Sequence, residues 1–284
     1  MTSVFVAGPA SWNTLVVLDR LPEPVPHMQF ADDSWETVGG TSAGKALSLC
    51  ALGRDTLLSA MSASDEPGRR LRAALAAAGV SARWTDGPVT ERHLNLMTRA
   101  GERVSLYLDA PGTAPGVDDA EIEEVMARAD VVILDLAAES LRLLPIAQRA
   151  GRPIWVDVHD YDGEADFHRP FLAAADAVFC NADGLARPLD FLRSRIEAGA
   201  MLAVCTLGAD GAVAVDAAGE VHRVPAVPVE VVDSNGAGDA FFAGVLDATL
   251  RGAAVPEALS AGARSASTVL RSRHLHPLLE PVLG

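Results

Sequence analysis

Val231-Val232-Asp233-Ser234-Asn235-Gly236-Ala237-Gly238-Asp239-Ala240-Phe241-Phe242-Ala243-Gly244 joins a turn of small residues to an apolar run. Gly236, Ala237 and Gly238 leave their N–H groups unobstructed, and the residues after them can continue as an apolar helix, so the turn forms a helix mouth that attracts anions. A carboxylate beside a phosphate would be repelled by it. Asp239 therefore makes chemical sense facing a hydroxyl whose proton must leave, which is the position of a general base in phosphoryl transfer. An isolated Gly-x-Gly-Asp reads more readily as an N-capping acid after a glycine turn; the rest of the chain decides between the two.

Outward from this segment, short β-rich runs alternate with Ala- and Leu-rich stretches. Residues 4–7, 131–136, 154–158, 177–180 and 201–206 read as buried strands. Helices are expected at 67–78, 117–129, 140–150 and 239–250, the first opening after Ser64-Asp65-Glu66 and closing at Gly79. Such alternation implies an α/β fold with a doubly wound, mostly parallel sheet. Two stretches break it: 15–37, rich in proline and acids, and 83–111, where 91–98 and 101–108 form a hairpin around Arg99-Ala100-Gly101.

The composition permits this reading without demanding it. A chain of 284 residues with 49% hydrophobic content can bury one large core or two modest ones. The formal charge of −15 and the lack of any Lys/Arg run argue against a nucleic-acid partner. Cys50, Cys180 and Cys205 lie far apart in apolar runs with no Cys-x-x-Cys, as expected of buried, reduced thiols in a cytoplasmic protein. No basic leader precedes the first strand and no apolar run reaches membrane-spanning length, so no membrane partner is expected.

A second phosphate-binding motif competes with the first. Gly39-Gly40-Thr41-Ser42-Ala43-Gly44-Lys45 fits the first seven positions of a Walker A loop, and Val131-Val132-Ile133-Leu134-Asp135 could pass as a Walker B strand. Against it, Ala46 stands where the loop needs a metal-binding hydroxyl, and Ser34-Trp35-Glu36-Thr37-Val38 is a poor buried strand.

The segment Asp233 to Asp239 resembles the C-terminal signature of the ribokinase-like carbohydrate kinases, the PfkB family, whose form is Asp-Thr-x-Gly-Ala-Gly-Asp; only Ser234 for Thr departs. The resemblance extends along most of the chain. It includes Val4-Phe5-Val6-Ala7-Gly8 with Asn13, the Gly39-Gly40 turn opening a helix, Ser62-Ala63-Ser64-Asp65-Glu66-Pro67-Gly68, and Cys205-Thr206-Leu207-Gly208-Ala209-Asp210-Gly211. It implies a ribokinase-like three-layer α/β sandwich over residues 1–284 as a single domain, with a small β-lid built from discontinuous segments near 13–37 and 83–111. It also implies an ATP-dependent kinase acting on a hydroxyl of a sugar or sugar-like molecule. By position, Asp239 is the base and Gly236, Ala237 and Gly238 the anion hole. Asn181, Thr206, Gly208 and Gly211 fall on the ATP side, and Asn13, Gly39, Gly40 and Asp239 on the acceptor side. Mg²⁺ is the expected cofactor, a monovalent cation a further one, and a homodimer through the lid is open.

Three departures rewrite parts of that pattern. Asn13 stands where an Asp commonly binds sugar hydroxyls, and an amide offers one acceptor and two donors instead of a charged acceptor pair. The Asn of the Gly-Gly-x-x-x-Asn pattern is Gly44. The Asn-x-x-Glu element that organises Mg²⁺ reads Asn181-Ala182-Asp183-Gly184, which leaves Asp183 and Asp233 as the metal candidates. Lys45 is then expected at the surface or facing the lid, Asp135 as an acid ending a buried strand, and Arg103 as a solvated hairpin residue. Asp157 stands at a strand end that would face the cleft, and His274 and His276 near the Pro-rich end are expected to be solvated. A nucleoside kinase of the same fold, a nucleotide-binding protein with weak or no turnover, and a P-loop kinase using residues 39–45 remain the alternatives.

Overall fold

In the first strand, β1 (Ser3–Ala7), Val4 and Val6 point to one side and Phe5 and Ala7 to the other, and all four are buried. A strand apolar on both faces belongs in the middle of a covered sheet. The computed structural model, which describes residues 3–116 and 118–284, puts it there. The other strands are β2 (Ser11–Leu18), β3 (Asp33–Gly39), β4 (Asp55–Ser62), β5 (Ser81–Asp86), β6 (Arg92–Thr98), β7 (Arg103–Asp109), β8 (Val131–Asp135), β9 (Ile154–Asp157), β10 (Ala177–Asn181), β11 (Leu202–Thr206), β12 (Ala212–Asp216) and β13 (Val221–Val224). The helices are α1 (Thr41–Ala51), α2 (Glu66–Ala77), α3 (Asp119–Arg128), α4 (Ala138–Ala150), α5 (Arg169–Ala174), α6 (Pro188–Glu197), α7 (Ala237–Leu250), α8 (Val255–Val269) and α9 (Glu280–Leu283).

Nine strands form one sheet in the order β13-β12-β11-β10-β9-β8-β1-β4-β5, parallel except for β12 and β13 at one edge. One face packs on α1, α2, α7 and α8, the other on α3 to α6, which gives the three layers the resemblance implies. Asp65 caps α2 by accepting from the Gly68 amide at 2.8 Å, so the helix begins one residue before the expected start. Val117, the expected first residue of the next helix, lies outside the described residues; the helix itself begins at Asp119. Helix α7 is buried all round from Asp239 to Ala248, between the sheet, α1 and α8, which is why its sequence lacks a polar face.

A second sheet, in the order β3-β2-β6-β7, carries the β6–β7 hairpin, with Gly101 at φ 92 in its turn. Its residues differ from the expected lid segments in one respect: 83–86 belong to β5, which pairs in parallel with β4 at the edge of the main sheet. The small sheet also answers the Walker A reading. Residues 34–38 lie in β3 of this sheet and not in the main one, so the turn at Gly39-Gly40 lacks the buried parallel strand that a P-loop requires.

Candidate active site

The helix mouth is built as its residues dictate. Gly236 is the N-cap of α7 at φ 78, a conformation natural to glycine, and a Cβ there would also crowd the Leu275 carbonyl at 2.6 Å. The Ala237 amide turns back to the Ser234 carbonyl at 3.3 Å. Those of Gly236, Gly238 and Asp239 take no hydrogen bond among the described residues, so the donors free for an anion keep Gly236 and Gly238 of the expected set and have Asp239 in place of Ala237.

Asp239 is 6% exposed at this mouth, and its burial pushes its pKa up to about 6, against the pull of Lys45 and with the push of Asp135. Lys45, expected at the surface or facing the lid, is the fully buried member of the site. Its Nζ donates to Asp239 Oδ1 at 2.8 Å and lies 2.9 Å from Asp135 Oδ1 and 3.3 Å from Asp157 Oδ2. Burial alone would lower its pKa, but Asp135, Asp239 and Asp157 outweigh it and hold the ammonium well above the usual lysine range. Asp135 is therefore more than a strand end: its Oδ2 accepts from Ser42 Oγ at 2.6 Å while its Oδ1 faces Lys45. Burial pushes Asp157 up too, and His159 and Lys45 more than offset it. His159, at φ 49, is the one non-glycine residue in the left-handed region among those described.

Gly44 explains why this packing is open to Asp239. A Cβ on it would fall on Asp239 Oδ2 and 2.9 Å from Cγ, so the side chain missing from the helix α1 position is the space the carboxylate occupies. Gly39 plays the same part for Asn13, whose Cγ would lie 2.5 Å from a Cβ there. Asn13 is 6% exposed and its Oδ1 takes no hydrogen bond among the described residues.

All thirteen residues singled out by position line one cavity of about 1100 Å³ between the two sheets: Asn13, Gly39, Gly40, Asn181, Asp183, Thr206, Gly208, Gly211, Asp233, Gly236, Ala237, Gly238 and Asp239. Asn181 and Thr206 are paired across β10 and β11. Gly208 and Gly211 lie in the connection between β11 and antiparallel β12, so the turn is a hairpin and a cavity wall at once. The lid adds Glu91, His93 and Tyr107: Glu91 and His93 are joined at 2.9 Å, and the His93 and Tyr107 rings lie 4.0 Å apart. Arg103, expected in solvent, reaches across to Asn235 Oδ1 at 2.5 Å and so ties the lid to the segment that opens α7.

The metal candidates remain separate features. Asp183 is exposed at the cavity rim. Gly184 cannot carry the acid of the family pattern, because a Cβ would run into the Asp160 carbonyl and lie 2.8 Å from that of Tyr161. Asp233 is buried, with Oδ1 accepting from Asn235 and Oδ2 taking no hydrogen bond among the described residues. Among the described residues, the one group of three potential ligands close enough to share an ion is Asp216, Glu220 and His222, away from the cavity. The donors at the cavity thus fit an ion that keeps most of its water and phosphate ligands.

His274 and His276 are buried, contrary to expectation. His274 Nδ1 meets Thr37 Oγ1 at 3.0 Å, His276 caps the turn that follows it, and burial pushes His276 down to about 4. Together they fix the segment whose Leu275 carbonyl packs against Gly236. Cys180 and Cys205 are buried, Cys50 is half-buried, and all three are free.

The model of the pfkB family carbohydrate kinases matches residues 2–280. The chain is 31% identical over 271 residues to acarbose 7(IV)-phosphotransferase of Actinoplanes sp., covering 92% of this chain and 90% of that protein. It is 30% identical over 272 residues to the ATP-dependent ribose-1-phosphate kinase of Halopiger xanaduensis, covering 91% and 88%. Among solved structures, the microbiome-derived acarbose kinase Mak1 superposes with a TM-score of 0.85 at 30% identity over 99% of each chain.

Proposed function

The chain belongs to the pfkB family of carbohydrate kinases, phosphotransferases that act on sugar hydroxyls with ATP as donor, and on that footing we propose that it phosphorylates a neutral saccharide with Asp239 as the base. The observation that carries the acceptor class is the state of Lys45. A phosphorylated acceptor needs a free cation, and this ammonium is fully buried and already shared by three carboxylates. The cavity wall adds Glu91, Asp157, Asp160 and Asp233, which repel an anionic sugar and outnumber Arg103, whose guanidinium gives one N–H to the neutral amide of Asn235. Neutral hydroxyls, in contrast, suit Asn13 with its unpartnered Oδ1 and the His93–Glu91 pair.

In this reading Asp239 Oδ2 accepts the proton of the acceptor hydroxyl as that oxygen bonds to the γ-phosphorus. The bond from the γ-phosphorus to the bridging oxygen breaks and ADP leaves. The free amides of Gly238 and Asp239 face the charge on the transferred group. Asn181, Thr206, Gly208 and Gly211 form the nucleotide side. Mg²⁺ would be held by phosphate oxygens and water with Asp183 and Asp233 nearest, and when bound it neutralises phosphate charge. The lid, tied through Arg103, excludes water from the γ-phosphate.

Along β7, Val104, Leu106 and Leu108 are 40%, 44% and 47% exposed, alternating with the residues that face the cavity. This apolar face supports a homodimer through the lid, which light scattering on the eluted protein would detect. Among the described residues no helix is long and apolar enough to cross a membrane; the three free thiols support a cytoplasmic location as part of the same proposal. ADP release across neutral oligosaccharides, monosaccharides, nucleosides and sugar phosphates tests the acceptor class. Turnover confined to nucleosides or to sugar phosphates would overturn it.

A further inference from the structure

An ammonium with no exposure to water is stable only if its charge is matched. Lys45 has three N–H donors and three carboxylates around it, from three elements brought together by the fold: Asp135 from β8, Asp157 from β9 and Asp239 from α7. His159 faces the cluster from the turn after β9, Ser42 from α1 itself, and the Phe242 ring lies 5.1 Å from Nζ. The contact with Asp239 has the geometry of a hydrogen bond, so Oδ1 is held, while Oδ2 takes no hydrogen bond among the described residues.

We propose that Lys45 is the positioning residue of phosphoryl transfer: its buried ammonium pins Oδ1 of Asp239 and keeps that carboxylate ionised, leaving Oδ2 to take the acceptor's proton. The inference rests on Asp239 being the base. Burial and Asp135 both push Asp239 toward the protonated form, which cannot serve as a base, and Lys45 is the largest opposing influence. Gly44 completes the device by leaving the room into which Oδ2 turns. The two consecutive residues Gly44-Lys45 therefore act as one unit, the first admitting the carboxylate and the second charging it.

The test is the pH profile of kcat/KM for Lys45→Met, Asp135→Asn and the double variant, with ATP affinity measured by calorimetry. Lys45→Met moves the acid limb to higher pH by at least about one unit, a tenfold loss on that side, and Asp135→Asn moves it to lower pH. In both, kcat changes while the Kd for ATP does not. If Lys45→Met alone fails to fold, the double variant leaves only two carboxylates uncompensated, and its acid limb lies above that of Asp135→Asn. A folded Lys45 variant whose activity falls equally at every pH overturns the proposal and leaves a purely structural lysine. Asp239→Asn is run beside them: near-normal turnover there would remove the base assignment itself, whereas an inactive Asp239→Asn with an unmoved limb in the Lys45 variants removes only the role of Lys45.

Discussion

Gly44→Ala adds one methyl group, and the structure says where it goes. Its Cβ falls on Asp239 Oδ2 and lies 2.9 Å from Cγ and 3.0 Å from Cβ of that residue, whereas ordinary contact begins at 3.4 Å. Asp239 must give way by about half an ångström or more, and it cannot do so freely because Lys45 holds its other oxygen. Alanine favours the helix over glycine by about 1 kcal/mol, while overpacking costs about 1–3 kcal/mol, so the net loss of folding stability is at most about 2 kcal/mol. Activity is another matter: a misplacement approaching 1 Å costs a rate on the order of 10²-fold. The expected result is a folded variant with a Tm at most about 8 °C below the parent, unchanged ATP affinity and kcat reduced about a hundredfold in a coupled ADP-release assay. Parental kcat in Gly44→Ala would refute the argument that the missing side chain makes room for the base.

Other outcomes follow from the same geometry. Asp239 has a folded pKa near 6 against its ordinary 3.8, so the folded state prefers its proton. Stability is then lost as pH rises from about 4 through 6, and Asp239→Asn should be more stable than the parent by up to about 3 kcal/mol at pH 7, with no gain below pH 4; thermal melts across that range check it. Gly184→Glu restores the family's acid in sequence but drives a Cβ between two carbonyls. It should lower Tm by several degrees without tightening Mg²⁺ binding, and a stable variant with stronger Mg²⁺ dependence would contradict this. Asn13→Ala should raise the acceptor KM by about 2- to 10-fold while leaving the KM for ATP unchanged.

The helix mouth, its carboxylate and the alternation of buried strands with helices were legible because they depend on local sequence: small residues before an apolar run, and strands apolar on both faces. The Lys45 cluster was not. Lysine is among the residue types least often buried, so the position reads as surface until its partners are known. Those partners lie at 135, 157 and 239, which no window of sequence brings together. Gly44 read only as a departure from the family's Asn, since the space it leaves has meaning only once α7 is packed against α1. Glu91 and His93 carried a faint signal, two polar residues two apart where the extended chain enters β6 and hence on one side. Arg103 and the two histidines near the end of the chain read as solvated for the same reason as Lys45: polar side chains are assigned to water unless their partners can be seen.

Everything in the proposed chemistry depends on Asp239 taking the acceptor's proton, and the decisive measurement is turnover by Asp239→Asn. With ATP binding verified by calorimetry and the fold by thermal melting, the asparagine variant should lose about 10²- to 10⁴-fold in kcat, the contribution of a positioned general base. An asparagine variant that phosphorylates the acceptor at near the parental rate would contradict the claim.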